Sequence, residues 1–136
     1  MKSDADIVFI DYLGLINSYA NKGTYERFSE ISRNIKLLAM ASNKPIIALH
    51  QLNREFQNRE DKTPRLSDIR DSGKIEQDAD MVVFVHRPGI YEPEKYSDSE
   101  MQIIVAKNRF GTSNKTLRFI FNGKNQRITE PMKIAV

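Results

Sequence analysis

Cysteine is absent from this chain of 136 residues. The absence excludes a disulfide framework, a cysteine nucleophile and a metal site built from thiolates, and it agrees with a reducing compartment. Long apolar runs are missing as well, since no stretch approaches the roughly 20 residues that span a bilayer and no signal-like segment follows the amino terminus. We therefore expect a soluble cytoplasmic protein without a membrane partner.

Acidic residues are scarce at the carboxyl end. Residues 101–136 contain seven Lys or Arg and one Asp or Glu, whereas the first hundred residues contain fourteen basic and seventeen acidic side chains. The net charge of +3 conceals this asymmetry. A basic end of this kind favours phosphate or nucleic acid as a partner, and charge alone leaves a solvated basic face open as the alternative.

Two apolar runs end abruptly in polar side chains. Residues 6–10 form a β-branched and aromatic run that stops at Asp11, and residues 45–49 form a second run that leads to Gln51. A strand-helix-strand unit would pair these runs in parallel, with their carboxyl ends at one edge of a sheet. Because ligands of open α/β sheets bind at that edge, Asp11 is placed where a magnesium nucleotide would be met. This stretch alone leaves open the alternative that Asp11 only ends a structural strand.

The segment between the two strands has the spacing of a helix. Apolar residues recur at intervals of three and four over residues 24–42, which predicts an amphipathic helix. Thr24 is expected to cap its start, and Asn43 is expected to end it in a left-handed conformation.

The remaining apolar runs predict a third strand near 80–86 and two more near 101–107 and 115–122. The short connection between the last two favours a β-hairpin, with Gly111 supplying the unusual backbone angle of the turn. A short edge strand is expected near 127–129. The first three strands should form a mostly parallel sheet that continues into this antiparallel hairpin, so the fold class is α/β.

Two further segments are polar. Residues 53–65 have almost no core-forming side chains and are expected to be a mobile surface segment, and residues 88–100 are expected to be a surface loop. In residues 66–80, short helical pieces flank a Ser-Gly turn, which can present backbone N–H groups to a phosphate.

These signals occur together with three distinctive stretches: IDYL at 10–13, LSDIRDSGKIEQDAD at 66–80 and IVAKNRFG at 104–111. Over residues 4–122 the chain resembles the carboxy-terminal half of the motor domain of bacterial and phage replicative hexameric DNA helicases of the DnaB type. The resemblance implies a RecA-like P-loop NTPase fold, with residues 1–136 as one incomplete domain. It also implies a motor that couples ATP hydrolysis to translocation on single-stranded DNA and to unwinding of the duplex.

The resemblance assigns roles at the nucleotide. Asp11 matches the Walker B carboxylate, which holds Mg²⁺ through its water shell, and Gln51 matches the residue that senses the γ-phosphate. Lys107 and Arg109 match the pair that reaches into the nucleotide site of the neighbouring subunit. ATP and Mg²⁺ are thus implied for the complete protein. The alternatives are a strand-capping amide for Gln51 and a solvated hairpin tip for the two cations.

The resemblance also assigns a DNA-binding loop. Arg70, Asp71 and Gly73 match the loop that lines the central channel and grips successive phosphates of single-stranded DNA. Arg70 offers a charged fork and Gly73 lets the backbone approach closely, whereas Asp71 is expected to orient Arg70 or to accept a hydrogen bond from the backbone. The partners implied are single-stranded DNA, a homo-hexamer, a primase and a helicase loader, in a bacterial or phage-infected cell.

The sequence departs from the family at several points. No Gly-x-x-x-x-Gly-Lys-Ser/Thr motif occurs, so the phosphate loop and the catalytic glutamate would precede residue 1, and we expect the chain alone to be inactive. Gly14 stands where the family more often has Gln, and His50 where it often has Ser. Two alternatives stay open: a related RecA-like ATPase of recombination or packaging, and a catalytically inactive module that binds DNA or a helicase subunit.

Overall fold

The computed structural model describes residues 4–17, 23–69 and 73–130. The helices and strands are β1 (Val8–Ile10), α1 (Thr24–Ser42), β2 (Ile46–Ala48), α2 (Gly73–Asp78), β3 (Met81–His86), β4 (Glu100–Asn108), β5 (Lys115–Asn122) and β6 (Arg127–Thr129). Short 3-10 turns occupy Leu13–Leu15, Arg54–Asn58, Leu66–Asp68 and Pro88–Ile90. None of the helices in these described residues is long and apolar enough to cross a membrane.

The chain forms two compact units. The first contains residues 1–53 and 66–79, and the second contains residues 54–65 and 80–136. Each unit has its own sheet, parallel in the first and antiparallel in the second. That residues 1–136 form one incomplete domain stays a prediction.

The first unit is built on a parallel pair of strands. β1 pairs with β2, and Ile10 lies opposite Ala48. The ladder continues past both strands, since the N–H of Leu49 donates to the carbonyl of Ile10 and the N–H of Leu13 donates to the carbonyl of Leu49, each at 2.9 Å. The predicted strand-helix-strand unit is confirmed, and both strands end at the same edge.

Helix α1 connects these two strands and has the predicted bounds. Its cap position is Gly23 and not Thr24, and no side chain caps it. It ends at Asn43, which is left-handed as predicted (φ 51°). Phe28 and Ile31 are its buried apolar residues, and they pack with Leu13 into the core of this unit. Burial of this face holds the loop after β1 against the helix.

The second unit is a four-stranded antiparallel sheet in the order β3-β4-β5-β6. The β4–β5 hairpin and the short edge strand β6 are confirmed. The placement of the third strand in the parallel sheet is wrong, because β3 belongs to the four-stranded sheet, where it pairs antiparallel with β4. The connection over residues 87–99 is short enough to return the chain in the opposite direction, and an apolar run alone does not encode its direction.

The turn between β4 and β5 differs from the prediction in one respect. The left-handed residue is Asn114 (φ 56°), and Gly111 does not have a positive φ. Asparagine tolerates this conformation better than most side chains. A Cβ at position 111 would lie 2.7 Å from the side-chain nitrogen of Asn108, so a larger residue there would displace that amide.

The polar segment predicted to be mobile contributes to the core of the second unit. Phe56 is buried, and its ring meets that of Tyr91 edge-on at 5.7 Å. Tyr91 in turn stacks on His86 at 5.7 Å with an interplanar angle of 13°. One aromatic residue in a polar stretch is therefore enough to fold part of residues 53–65 onto this unit.

Candidate functional site

Asp11 lies at the carboxyl end of β1, with an exposed side chain. The carbonyl of Ile10, the residue before it, accepts a hydrogen bond from the N–H of Leu49, which lies two residues before Gln51. The peptide bond between Asp11 and Tyr12 is cis. A carboxylate and an amide therefore follow adjacent strands at the edge where the sequence predicted them.

Gln51 is exposed, and the chain after it is fixed by backbone hydrogen bonds. Leu52 forms an antiparallel bridge with Ile69, and the N–H of Asn53 donates to the carbonyl of Asp68 at 2.8 Å. These contacts join the polar end of β2 to the residues that lead directly into the predicted DNA-binding loop. The pairing lies within the first unit.

The predicted DNA-binding loop is described only at its end. Arg70 and Asp71 lie outside the described residues. Gly73 begins α2 and is exposed, without a positive φ. A Cβ added there would meet Tyr25 Oη at 3.9 Å, which is an ordinary contact. Neither the backbone angle nor the packing of this unit requires glycine at position 73.

Helix α2 is attached to α1. Ser32 Oγ donates to Asp78 Oδ2 at 3.0 Å, and Ile75 packs against the cluster that contains Ile31 and Leu13. The same face of α1 therefore supports the loop after Asp11 and the helix that follows the predicted DNA-binding loop.

Arg27 is a positioning residue that sequence reasoning missed. Its Nη2 donates to the carbonyl oxygens of Gly14 at 2.8 Å and Ile16 at 2.7 Å, which ties the loop after Asp11 to α1. Its guanidinium also lies 5.7 Å from the centre of the Phe28 ring. An arginine on a helix gives no sign in the sequence of which distant carbonyls it will bind.

Lys107 and Arg109 lie at the end of β4 in the second unit. Lys107 is in the strand, and Arg109 is the first residue of the turn that follows it. The β3–β4 register shifts between Val82 and Val83, which makes Ala106 an extra residue on β4. Bulges of this kind bend a strand and redirect the side chains that follow. Lys107 and Arg109 thus directly follow a β-bulge in the sheet.

Arg109 is held by Asp80. Its Nη1 donates to Asp80 Oδ1 at 2.6 Å, and its backbone N–H donates to the carbonyl of Asp80 at 2.8 Å. The two side chains are 43% and 40% exposed. Asp80 closes the distinctive stretch at 66–80, yet no local pattern indicates that it binds this arginine.

An open cleft of about 520 Å³ lies elsewhere in the second unit. On its wall the guanidinium of Arg87 lies 4.9 Å above the ring of Phe121, and Nη2 donates to both the carbonyl and the carboxylate of Asp98 at 2.9 Å. A planar cation on an aromatic face can stack a flat ligand such as a nucleobase. Sequence reasoning missed both residues, because they are distant in the chain and meet only across the sheet.

Asp11 is the carboxylate that this edge of the sheet offers to Mg²⁺. In residues 4–17, 23–69 and 73–130, no cluster of three or more His, Cys, Asp or Glu could hold a metal ion. In nucleotide sites Mg²⁺ is bound by one or two carboxylates, with water and phosphate supplying the other ligands. The exposed Asp11 fits this role, in which the ion enters with the nucleotide.

Known proteins are similar in sequence to this chain. It is 46% identical over 125 residues to the replicative DNA helicase DnaB of Leifsonia xyli, covering 91% of this chain and 27% of that protein. It is 58% identical over 87 residues to the replicative DNA helicase DnaB of Helicobacter pylori, covering 63% of this chain and 18% of that protein. The chain spans about a quarter or less of the length of these curated relatives.

Solved structures are also similar to this chain. One that is described as an ATPase domain superposes with a TM-score of 0.87 at 38% identity, covering 93% of this chain and 44% of that one. A DnaB-like replicative helicase, described with its interactions with primase, gives the same TM-score and identity over 93% of this chain and 30% of that one. These likenesses confirm the predicted α/β, RecA-like fold. The family model for the DnaB-like helicase C terminal domain matches residues 1–130, and the chain belongs to that family.

Proposed function

We propose that this chain supplies the carboxy-terminal part of a replicative helicase motor that couples ATP hydrolysis to translocation on single-stranded DNA and to duplex unwinding. The observation that carries the proposal is the backbone link between the end of β2 and residues 68–69. It joins Gln51, at the edge of the sheet, to the loop that would grip DNA. A change at the nucleotide can then move that loop, because backbone hydrogen bonds link the end of β2 to the residues that lead into it.

Each nucleotide-facing residue has a role that its position supports. Asp11 is exposed at the sheet edge and would hold Mg²⁺ through water. Gln51 senses the γ-phosphate. Lys107 and Arg109 reach the nucleotide of the neighbouring subunit, where their charges offset the charge that develops on the transferred phosphoryl group. When bound, Mg²⁺ neutralises charge on the phosphates.

The DNA contacts and partners complete the proposal. Arg70, Asp71 and Gly73 form the loop that binds successive phosphates of single-stranded DNA. Because Lys107 and Arg109 would act on the nucleotide of a neighbouring subunit, the protein has to form an oligomer. We propose a homo-hexamer. A primase is proposed as a partner because a solved relative is described with its interactions with primase. We also propose a helicase loader as a partner and the cytoplasm as the location of the protein.

The test uses a restored motor, which we define as this chain joined to the phosphate-loop half of a DnaB relative. Subunits with Asp11→Asn and subunits with Arg109→Ala should each lose on the order of a hundredfold in DNA-stimulated ATP hydrolysis. In mixed rings, some interfaces pair an intact Asp11 with an intact Arg109 from the neighbour, and we expect activity to return there. No recovery in rings whose mixing has been verified would contradict the proposal.

A second candidate is a catalytically inactive module that binds DNA or a helicase subunit. The basic composition of residues 101–136, with seven Lys or Arg and one Asp or Glu, favours it. The two candidates differ in how the chain alone binds single-stranded DNA. A part of a motor makes few phosphate contacts and should bind weakly at low salt and not at high salt, whereas a dedicated module should keep submicromolar affinity. Fluorescence anisotropy with an oligonucleotide at two salt concentrations separates them.

A further inference from the structure

We propose that Asp80 is the positioning residue for Arg109, an inference that rests on the proposed role of Arg109 at a neighbouring nucleotide. Two contacts hold the arginine: the backbone hydrogen bond of 2.8 Å and the ion pair of 2.6 Å. Asp80 directly precedes β3 and Arg109 directly follows β4. Because Met81 lies opposite Asn108, the pair forms the next rung of the ladder.

The geometry points to orientation as the use of this pair. Both side chains are close to half exposed, and an ion pair at such a position adds little to stability. A guanidinium carries five N–H donors in one plane. Holding Nη1 against a carboxylate fixes that plane and restricts a long, flexible side chain, so less conformational freedom is lost when the arginine meets a phosphate.

The chain offers a matched control. Asp61 and Arg65 form an ion pair of 2.7 Å in the same unit, with side chains 53% and 55% exposed. Neither residue belongs to the proposed machinery. Asp61→Asn therefore removes a similar charge from a similar pair, at a place where no effect on hydrolysis is expected.

The kinetic test compares Asp80→Asn with Arg109→Ala in the restored motor. Asp80→Asn should lower kcat for DNA-stimulated hydrolysis by about tenfold and leave KM for ATP within about twofold, because it disturbs only the approach to the transition state. The double variant should be no slower than Arg109→Ala alone, since the carboxylate acts through the arginine. Asp61→Asn should match the unaltered motor.

A second readout does not depend on activity. In the ¹⁵N spectrum of this chain alone, the side-chain Nε–H resonance of Arg109 is identified by its loss in Arg109→Ala. It should shift in Asp80→Asn and stay in place in Asp61→Asn. An unchanged resonance in Asp80→Asn would show that the carboxylate does not hold the guanidinium in solution, which overturns the inference.

The remaining outcomes separate the inference from the proposed function. If Arg109→Ala is slow and Asp80→Asn is not, the inference fails and the proposed function stands. If Arg109→Ala keeps its rate, the proposed function fails and the inference falls with it. If the effects of the two variants add, Asp80 has only a structural role. Should Asp80→Asn fail to fold, Asp80→Glu keeps the charge and must retain kcat within a few fold of the unaltered motor.

Discussion

Gly73 is a position at which folding and the proposed binding of DNA can be tested separately. Alanine fits there without strain, so Gly73→Ala should leave the free energy of unfolding unchanged or raise it by up to about 1 kcal/mol. In the restored motor the added methyl group should weaken binding to single-stranded DNA several fold, because it keeps the phosphate backbone away from the chain. Urea denaturation and fluorescence anisotropy measure the two effects. Unchanged DNA affinity would count against the assignment of this loop.

The stability of the fold should depend on pH through His86. Burial lowers the pKa of His86 from its ordinary value of 6.5, and the carboxylates of Asp61, Glu92 and Glu100 oppose that shift. The folded state therefore favours the neutral ring, and the unfolded state takes up the proton first as the pH falls. The contribution of His86 to stability is complete above about pH 6.5 and is lost below it.

The measurement is urea denaturation at pH 7.5 and pH 5.5. His86→Phe keeps an aromatic ring against Tyr91, so the variant should lose less stability between the two values than the unaltered chain does. An equal loss in both proteins would mean that other groups cause the acid sensitivity.

The turn of the β4–β5 hairpin gives a prediction at the level of the element. Asn114 has a φ of 56°, a conformation that most side chains adopt at a cost. Asn114→Ala should lower the free energy of unfolding by about 0.5–1 kcal/mol, and Asn114→Gly should not. Asn125, in a neighbouring turn without a positive φ, is the control. Thermal or urea denaturation gives the result, and equal effects of Asn114→Ala and Asn125→Ala would contradict it.

Elements that depend on local pattern were predictable from the sequence. Helix α1 follows from apolar spacing, the hairpin from two alternating runs with a short link, and β6 from one short run beyond a turn. The direction of β3 was not predictable, because an apolar strand pairs either way and its partner is decided by packing across the unit. Phe56 shows the same limit, since a single ring in a polar stretch gains its partner only in three dimensions.

Some residues of the candidate site were also predictable from the sequence, and others were not. Asp11 and Gln51 were predictable because residues that end parallel strands share an edge. The contacts of Arg27 and Asp80 join residues 11 to 29 positions apart, and nothing in either local sequence specifies the partner. The position of residues that end an element can therefore be predicted from the sequence. Residues that orient them through long side chains require the structure.

For the whole chain, we predict that it will not bind ATP with useful affinity by itself. The sequence has no phosphate-loop motif, so the backbone cradle and the lysine that hold the phosphates are missing from it. Isothermal titration calorimetry with Mg²⁺ and ATP is the measurement, and the restored motor is the positive control. Micromolar binding by the chain alone, or turnover that Asp11→Asn abolishes, would reveal an unrecognised phosphate site.

The parallel pair of β1 and β2 has a consequence for the life of the polypeptide in a cell. Phe9 lies opposite Ile47 in the register, and the two residues are 64% and 46% exposed. A sheet of two strands is marginal by itself, and apolar side chains at its surface invite association with other chains. Chaperones and proteases act on segments that open easily and display such side chains. How long this polypeptide survives after synthesis should therefore depend on how soon another strand or subunit covers β1 and β2.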